Sequence, residues 1–224
     1  MNYRVKAIIF DMDGVVIDST KEIEIFWESW AKKENVTLNK EIIAKCIHGR
    51  TANETIEELF YNSSPEVKEQ IAISSGEFDK SMRPELIDGV FDFLLKLSTA
   101  KIFVGLVTSS PKERVKPLLD HRNIYNYFSE IITGDDIAHG KPDPEPYIKM
   151  ADKLKVDCDK CLVFEDADSG VQSALAADMK VIAVNNNHTN HINIIASIKN
   201  FTVIEFSNKQ IICNVEPYPK INLG

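Results

Sequence analysis

The 224-residue sequence has no apolar stretch approaching the length of a membrane span, and its first residues lack the long apolar region of a secretory signal. A cytoplasmic protein without a membrane partner is expected. Positive charge is in deficit, with 26 Lys and Arg against 34 Asp and Glu, a formal charge of −8. That balance argues against a nucleic-acid backbone as the main partner, and it suits an enzyme whose positive charge is confined to one pocket. Cysteine is scarce: Cys46, Cys158, Cys161 and Cys213 are all there is. Cys158-Asp159-Lys160-Cys161 has zinc or redox spacing, but no second such pair accompanies it and Cys161 opens a strand-like run. All four read as ordinary reduced thiols. Repeats and low-complexity segments are also missing.

What is present is enough hydrophobic content, 44%, for one sizeable core and a small inserted lobe. The run Lys6-Ala7-Ile8-Ile9-Phe10 reads as a buried strand that stops in Asp11-Met12-Asp13-Gly14. The carboxyl ends of parallel strands are where open α/β folds place ligands, so both acids would look into a crevice. Two like charges this close lose hydration and repel unless a cation or shared proton compensates, and hard oxygen ligands suit Mg²⁺. Four helical patterns follow, over 20–33, 40–46, 53–60 and from Pro65 to about Lys80, with no strand between them. An all-helical block after one buried strand looks like an insertion, with Arg83-Pro84 as its return point. From Asp88-Gly89 onward, helices at 90–97, 111–119, 144–154 and 169–177 alternate with strands at 102–107, 130–133, 161–164 and 181–184. That rhythm implies a parallel sheet covered on both faces. The polar stretch 185–191 reads as a loop, and 201–206 and 210–215 as peripheral strands.

Three further strand ends carry chemistry. Thr108-Ser109-Ser110 can cradle a phosphate with a hydroxyl and helix-start N–H groups, or simply cap the helix near Pro111; the two are compatible. In Gly140-Lys141-Pro142-Asp143-Pro144-Glu145-Pro146-Tyr147 the prolines stiffen the chain and give Lys141 a fixed direction, suited to neutralising paired carboxylates and a phosphate. The strand 162–164 ends in Glu165-Asp166-Ala167-Asp168-Ser169-Gly170, a second acidic cluster. Together the four stations describe one Mg²⁺–phosphate site assembled from four loops.

Asp11/Asp13, Thr108, Lys141 and Glu165/Asp166 resemble the four motifs of the haloacid dehalogenase superfamily in order and spacing, over roughly residues 5–185. The resemblance implies a Rossmann-like α/β core at 1–18 and 84–224, with a small helical cap at 19–83. The cap is similar to that of the subgroup containing β-phosphoglucomutase, phosphoglycolate phosphatase and sugar- and glycerol-phosphate phosphatases. It implies an Mg²⁺-dependent phosphatase of a small phosphorylated metabolite, monomeric by default, with a phosphomutase and a phosphoglycolate phosphatase as alternatives. In that family's chemistry Asp11 is the nucleophile and Asp13 the general acid and base. Mg²⁺ is held by the Asp11 carboxylate, the Asp13 carbonyl and Asp166, and by Glu165 directly or through water. Thr108, the Ser109 N–H and Lys141 would bind the phosphoryl oxygens. Arg50 and Thr51, after His48-Gly49, either contact the substrate's distal end or lie on a solvated helix start. The mutase's cap arginine and gating histidine are replaced here by Ala52 and Ile23, which favours hydrolysis.

Overall fold

The computed structural model describes residues 2–185, 191–207, 210–215 and 219–223. A four-residue strand β1 (Asn2–Val5) precedes β2 (Ala7–Phe10), and helices α1 (Thr20–Lys33), α2 (Lys40–Cys46), α3 (Ala52–Leu59) and α4 (Pro65–Ser81) follow without an intervening strand. The chain then alternates: α5 (Val90–Thr99), β3 (Phe103–Val107), α6 (Lys112–His121), β4 (Glu130–Ile132), α7 (Glu145–Leu154), β5 (Cys161–Glu165), α8 (Asp168–Ala176), β6 (Lys180–Val184) and β7 (Ile194–Ile198). The last described strands are β8 (Ile204–Ser207), β9 (Gln210–Cys213) and β10 (Lys220–Leu223).

The main sheet is parallel throughout, in the order β4-β3-β2-β5-β6-β7. Side chains on a strand alternate between faces. In β2, Ile8 and Phe10 face a core completed by α5 and α6, while Ala7 and Ile9 face one completed by α7 and α8. This doubly covered parallel sheet is the α/β architecture expected from the βα rhythm. Phe10 packs against four rings, stacking on Phe164 at 5.1 Å and meeting Phe93, Phe128 and Phe201 at 5.8–6.4 Å. Helices α1–α4 enclose a separate apolar cluster around Trp27, Ile56, Phe60 and Ile71. The two ends of this insert are tied together, with Ile17 bridging Leu86 and the Asp18 N–H donating to the Glu85 carbonyl at 2.8 Å.

The sequence reading places these elements within one or two residues, but it misses a second sheet. Strands β1, β10, β9 and β8 form it, β1 pairing parallel to β10 and the others antiparallel. The readings at 201–206 and 210–215 correspond to β8, preceded by a short 3-10 turn, and to β9. β1, β7 and β10 were not anticipated; β1 and β10 pair with each other across almost the whole length of the chain. The loop expected at 185–191 lies mostly outside the described residues. No described helix is long and apolar enough to cross a membrane.

Because Phe10 both anchors the core and carries Asp11, Phe10→Ala is expected to lower unfolding free energy by about 3–5 kcal/mol in urea titration. A loss under about 1 kcal/mol would contradict its role as the core's centre.

Candidate active site

Register brings the motifs to one place. Phe10 is paired with Leu106 of β3 and Phe164 of β5, so Asp11, Val107 and Glu165 emerge side by side at the carboxyl edge. Thr108 follows β3 directly and is buried. The strand order also reverses here, β3 and β4 lying on one side of β2 and β5–β7 on the other. Such a switch point leaves a crevice between diverging connections. Gly14 (φ +77°) turns the loop after Asp13; a Cβ there would fall 2.0 Å from Asp166 Oδ2. The glycine thus lets the loops after β2 and β5 lie against each other.

Lys141 reaches this edge from the loop before α7 and is 1% exposed. Its Nζ donates to Asp11 Oδ1 at 2.6 Å, Glu165 Oε1 at 2.5 Å and the Val107 carbonyl at 3.3 Å. Three acceptors match the three ammonium protons, as burial of a charge requires. Glu165 also accepts from Tyr147 OH at 2.8 Å and the Ala167 N–H at 3.1 Å. Its two oxygens are therefore already engaged. Gly170 makes room for this arrangement, since a Cβ there would lie 1.7 Å from Glu165 Oε1.

Negative charge nevertheless exceeds what Lys141 offsets. Burial pushes Asp11 up to about 8 against the pull of Lys141, with Glu165 and Asp13 adding repulsion. Burial, helped by Asp11 and Glu165, raises Asp166 well above the carboxylate range. Burial disfavours charge on Lys141 too, but Asp11 and Glu165 outweigh it and raise its value. Oxygens of Asp11, Glu165 and Asp166 lie within 4.8 Å of one another. Hard oxygen donors, this spacing and uncompensated negative charge together fit a divalent cation such as Mg²⁺.

Asp13 faces a different cation. Arg114, on α6 and 2% exposed at its side chain, grips it with two parallel bonds, Nη1 to Oδ2 at 2.7 Å and Nη2 to Oδ1 at 2.6 Å. Ser19 Oγ donates at 2.5 Å and Ser110 Oγ at 3.1 Å. Burial pushes Asp13 upward, but Arg114 and these hydrogen bonds prevail and hold it below its usual value. Beyond Arg114, Asp79 of α4 approaches to 3.1 Å from Nε; burial raises it to about 6 in spite of the arginine.

Asp11, Asp13, Thr108, Ser109, Asp166 and Arg50 all line one cavity of about 90 Å³. Lys141 and Glu165 lie just behind Asp11. The insert supplies the opposite wall, with Phe26 stacked on Phe78 at 4.7 Å beside Trp27. The turn 48–50 meets the core at three points: Ser109 Oγ donates to the Gly49 carbonyl (2.7 Å), Ser169 Oγ to the His48 carbonyl (3.1 Å), and Arg50 Nη1 to the Lys141 carbonyl (3.1 Å). Thr51 is elsewhere occupied, forming a capping box with Glu54 at the start of α3. Thr108-Ser109-Ser110 do not cap α6 with a side chain; Pro111 is its cap and Asp135 accepts from the Lys112 N–H at 2.7 Å.

Arg114, Asp79, Tyr147 and Ser19 were missed as site residues. For Arg114 a signal existed: it shares the buried stripe of α6 with Val115, Leu118 and Leu119, and a cation in the first turn opposes the helix dipole. The four cysteines are free, and burial pushes Cys161 and Cys213 up to about 12, in keeping with inert thiols.

Acids on adjacent parallel strand ends, a buried lysine between them and a helical insert overhead define a hydrolase of one architectural class. Residues 8–184 match the family model of haloacid dehalogenase-like hydrolases, and the chain belongs to that family. It is 30% identical to hexitol phosphatase A of Escherichia coli over 81% of this chain and 84% of that protein. It is also 30% identical to a phosphorylated carbohydrates phosphatase of Thermotoga maritima, covering 79% and 83% respectively. In fold it is similar to the crystal structure of β-phosphoglucomutase from Clostridium difficile, with TM-score 0.77 and 22% identity over 90% of this chain and 94% of that one.

A carboxyl raised from 3.8 to about 8 by folding destabilises the fold when ionised; the penalty is absent below the lower value and complete above the higher. In metal-free buffer Asp11→Asn is therefore expected to raise Tm at pH 8, with the gain shrinking by pH 5. Mg²⁺ should raise the wild-type Tm more at pH 8 than at pH 5. Equal shifts at both pH values in thermal melts would contradict the charge imbalance.

Proposed function

We propose that the protein is an Mg²⁺-dependent phosphatase of a small sugar or polyol phosphate, acting through an aspartyl phosphate on Asp11. The observation that carries this reading is the pairing of Lys141 with Asp11 Oδ1 at 2.6 Å. The cation fixes one oxygen of a carboxylate that lines the cavity, where a phosphate ester would lie.

Asp11 attacks phosphorus; the new O–P bond forms as the P–O bond to the alkyl group breaks. Asp13, once it leaves the Arg114 fork and takes up a proton, gives that proton to the departing alkoxide. It then takes a proton from the water that attacks the aspartyl phosphate, so inorganic phosphate leaves and Asp11 is restored. Thr108, the Ser109 N–H and Lys141 bind the transferring oxygens, stabilising charge spread over them in the transition state. When bound, Mg²⁺ held by Asp11, Asp166, the Asp13 carbonyl and, through water, Glu165 supplies the charge neutralisation that lets an anion meet a phosphate dianion. Glu165 acts chiefly by fixing Lys141, since its oxygens are engaged by Lys141, Tyr147 and the Ala167 N–H.

Residues 19–83 serve as a cap domain over a core of 1–18 and 84–224. The three contacts of the turn 48–50 support a closed state that excludes water. A cavity of about 90 Å³ is well below the roughly 300–1,000 Å³ of ordinary ligand sites, so the cap opens to admit substrate. Phe26, Trp27 and Phe78 offer an apolar wall to the carbon skeleton, and Arg50 lies where a distal hydroxyl or charge would reach. Relatives named as phosphatases of hexitol and carbohydrate phosphates favour that substrate class. Ile23 and Ala52, both lining the cavity, offer no polar side chain for a second phosphate, which favours hydrolysis over a mutase reaction.

The test is phosphate release from 2-deoxyglucose 6-phosphate, glycerol 3-phosphate, sorbitol 6-phosphate, phosphoglycolate and p-nitrophenyl phosphate. Turnover is expected with Mg²⁺ and not with EDTA, and Asp11→Asn should lower it on the order of 10⁴-fold while the fold survives. No release from any ester, or full activity in EDTA, would sink the reading.

A further inference from the structure

Beside the candidate active site lies a larger opening that the chemistry above does not use. Helix α4 carries Ala72, Ser75, Gly76 and Asp79 at spacings of three and four, which puts them on one face. Three of the four are among the smallest residues, so that face leaves space beside it. A cleft of about 360 Å³ lies there, walled on the core side by the loop after β4 and by Ser109, Pro111 and Glu113. That volume falls within the roughly 300–1,000 Å³ of ordinary ligand sites. The cleft is continuous with the smaller cavity, since Ala52, Ser75, Asp79, Ser109 and Pro111 line both. A phosphate ester held at Asp11 can extend its carbon chain past these five residues.

Two features indicate what would fill the cleft. Ser75 is 6% exposed, its hydroxyl has no hydrogen-bond partner among the described residues, and it stands where the two spaces meet. A buried hydroxyl without a partner is unfavourable until water or a ligand supplies one. The charged residues along the cleft are Glu54, Asp79, Glu113 and Asp135, with no lysine, arginine or histidine among its described lining. Arg50, Arg114 and Lys80 pair with the first three at 3.4, 3.1 and 3.8 Å, but none of these cations lines the cleft. Carboxylate oxygens accept hydrogen bonds. A hydroxylated chain can donate to them, whereas a second phosphate or a carboxylate meets like charge.

We propose that this cleft receives the far end of the substrate and selects a long, uncharged polyhydroxy chain over a short ester or one bearing a second anion. Ser75 hydrogen-bonds a distal hydroxyl, and the surrounding acids accept from its neighbours. The inference rests on the phosphatase reading and narrows its substrate class.

Gly76 offers a way to fill the cleft without touching the reacting groups. It lines the cleft but not the smaller cavity, and a Cβ there would have no atom within 4 Å. A helix interior also favours leucine over glycine. In the wild type, kcat/KM should rise about tenfold or more from glycerol 3-phosphate to sorbitol 6-phosphate. It should fall again by about tenfold for 6-phosphogluconate, a six-carbon chain that ends in a carboxylate. Gly76→Leu should lower the sorbitol 6-phosphate value about tenfold and leave glycerol 3-phosphate within about twofold. Ser75→Ala, which adds no bulk and serves even if Gly76→Leu does not fold, should show the same selectivity at about three- to tenfold. Equal losses on both esters in Gly76→Leu, or none, would overturn the inference, as would a wild type that prefers glycerol 3-phosphate. An unselective Ser75→Ala would overturn the contact given to its hydroxyl. 6-Phosphogluconate turned over as well as sorbitol 6-phosphate would overturn the exclusion of anions. Each of these outcomes leaves the phosphatase reading standing; a wild type inactive on every ester would overturn that reading and this inference with it.

Discussion

Five carboxylates, those of Asp11, Asp13, Asp79, Glu165 and Asp166, are drawn into one partly dry crevice, and the molecule is arranged around keeping them there. Each ionised group out of water loses hydration, and each neighbour adds repulsion. Two cations, Lys141 and Arg114, offset part of this, both almost completely buried and each shared between two acids. The remainder is visible in the raised values of Asp11, Asp79 and Asp166. That surplus, on hard oxygen donors, fits a divalent ion.

The fold supplies the force that holds the acids together. Asp11 follows Phe10, whose ring is enclosed by four others, and Glu165 closes a strand with every residue buried. Unfavourable charge at the strand ends is thus attached to some of the most favourable apolar packing in the chain. Gly14 and Gly170 matter in the same way: where a methyl group would touch Asp166 or Glu165, the chain has none. The turn 48–50 of the insert meets the core through three polar contacts, each onto a backbone carbonyl.

Much of this was legible before any fold was known. Apolar runs ending in acids identified strand ends, and the βα alternation identified a parallel sheet, so the adjacency of Asp11, Thr108 and Asp166 followed from topology. Helix α1 was readable to the residue from Ile23, Phe26, Trp27 and Trp30. The small sheet was not, because strands such as Lys220–Leu223 gain their pairing from the far end of the chain. Arg114 escaped for a related reason: an arginine within a helix is ordinarily solvated, and nothing local announces that Asp13 and Asp79 will close on it. Thr51 was left between a substrate contact and a helix start. Of the two readings left open for it, the capping box with Glu54 matches the helix start.

The sequence by itself determined the parallel α/β core, the helical insert and which acids and lysine share a strand edge. Those features depend on local periodicity and on the order of strand ends, both of which are one-dimensional. Tertiary structure alone decided which cation serves which carboxylate, and that Glu165, itself held by Tyr147, anchors Lys141. It also decided that the insert reaches Asp13 by way of Asp79 and Arg114. Charge pairing depends on distances of a few ångströms between groups separated by tens of residues, and only the packed chain sets them.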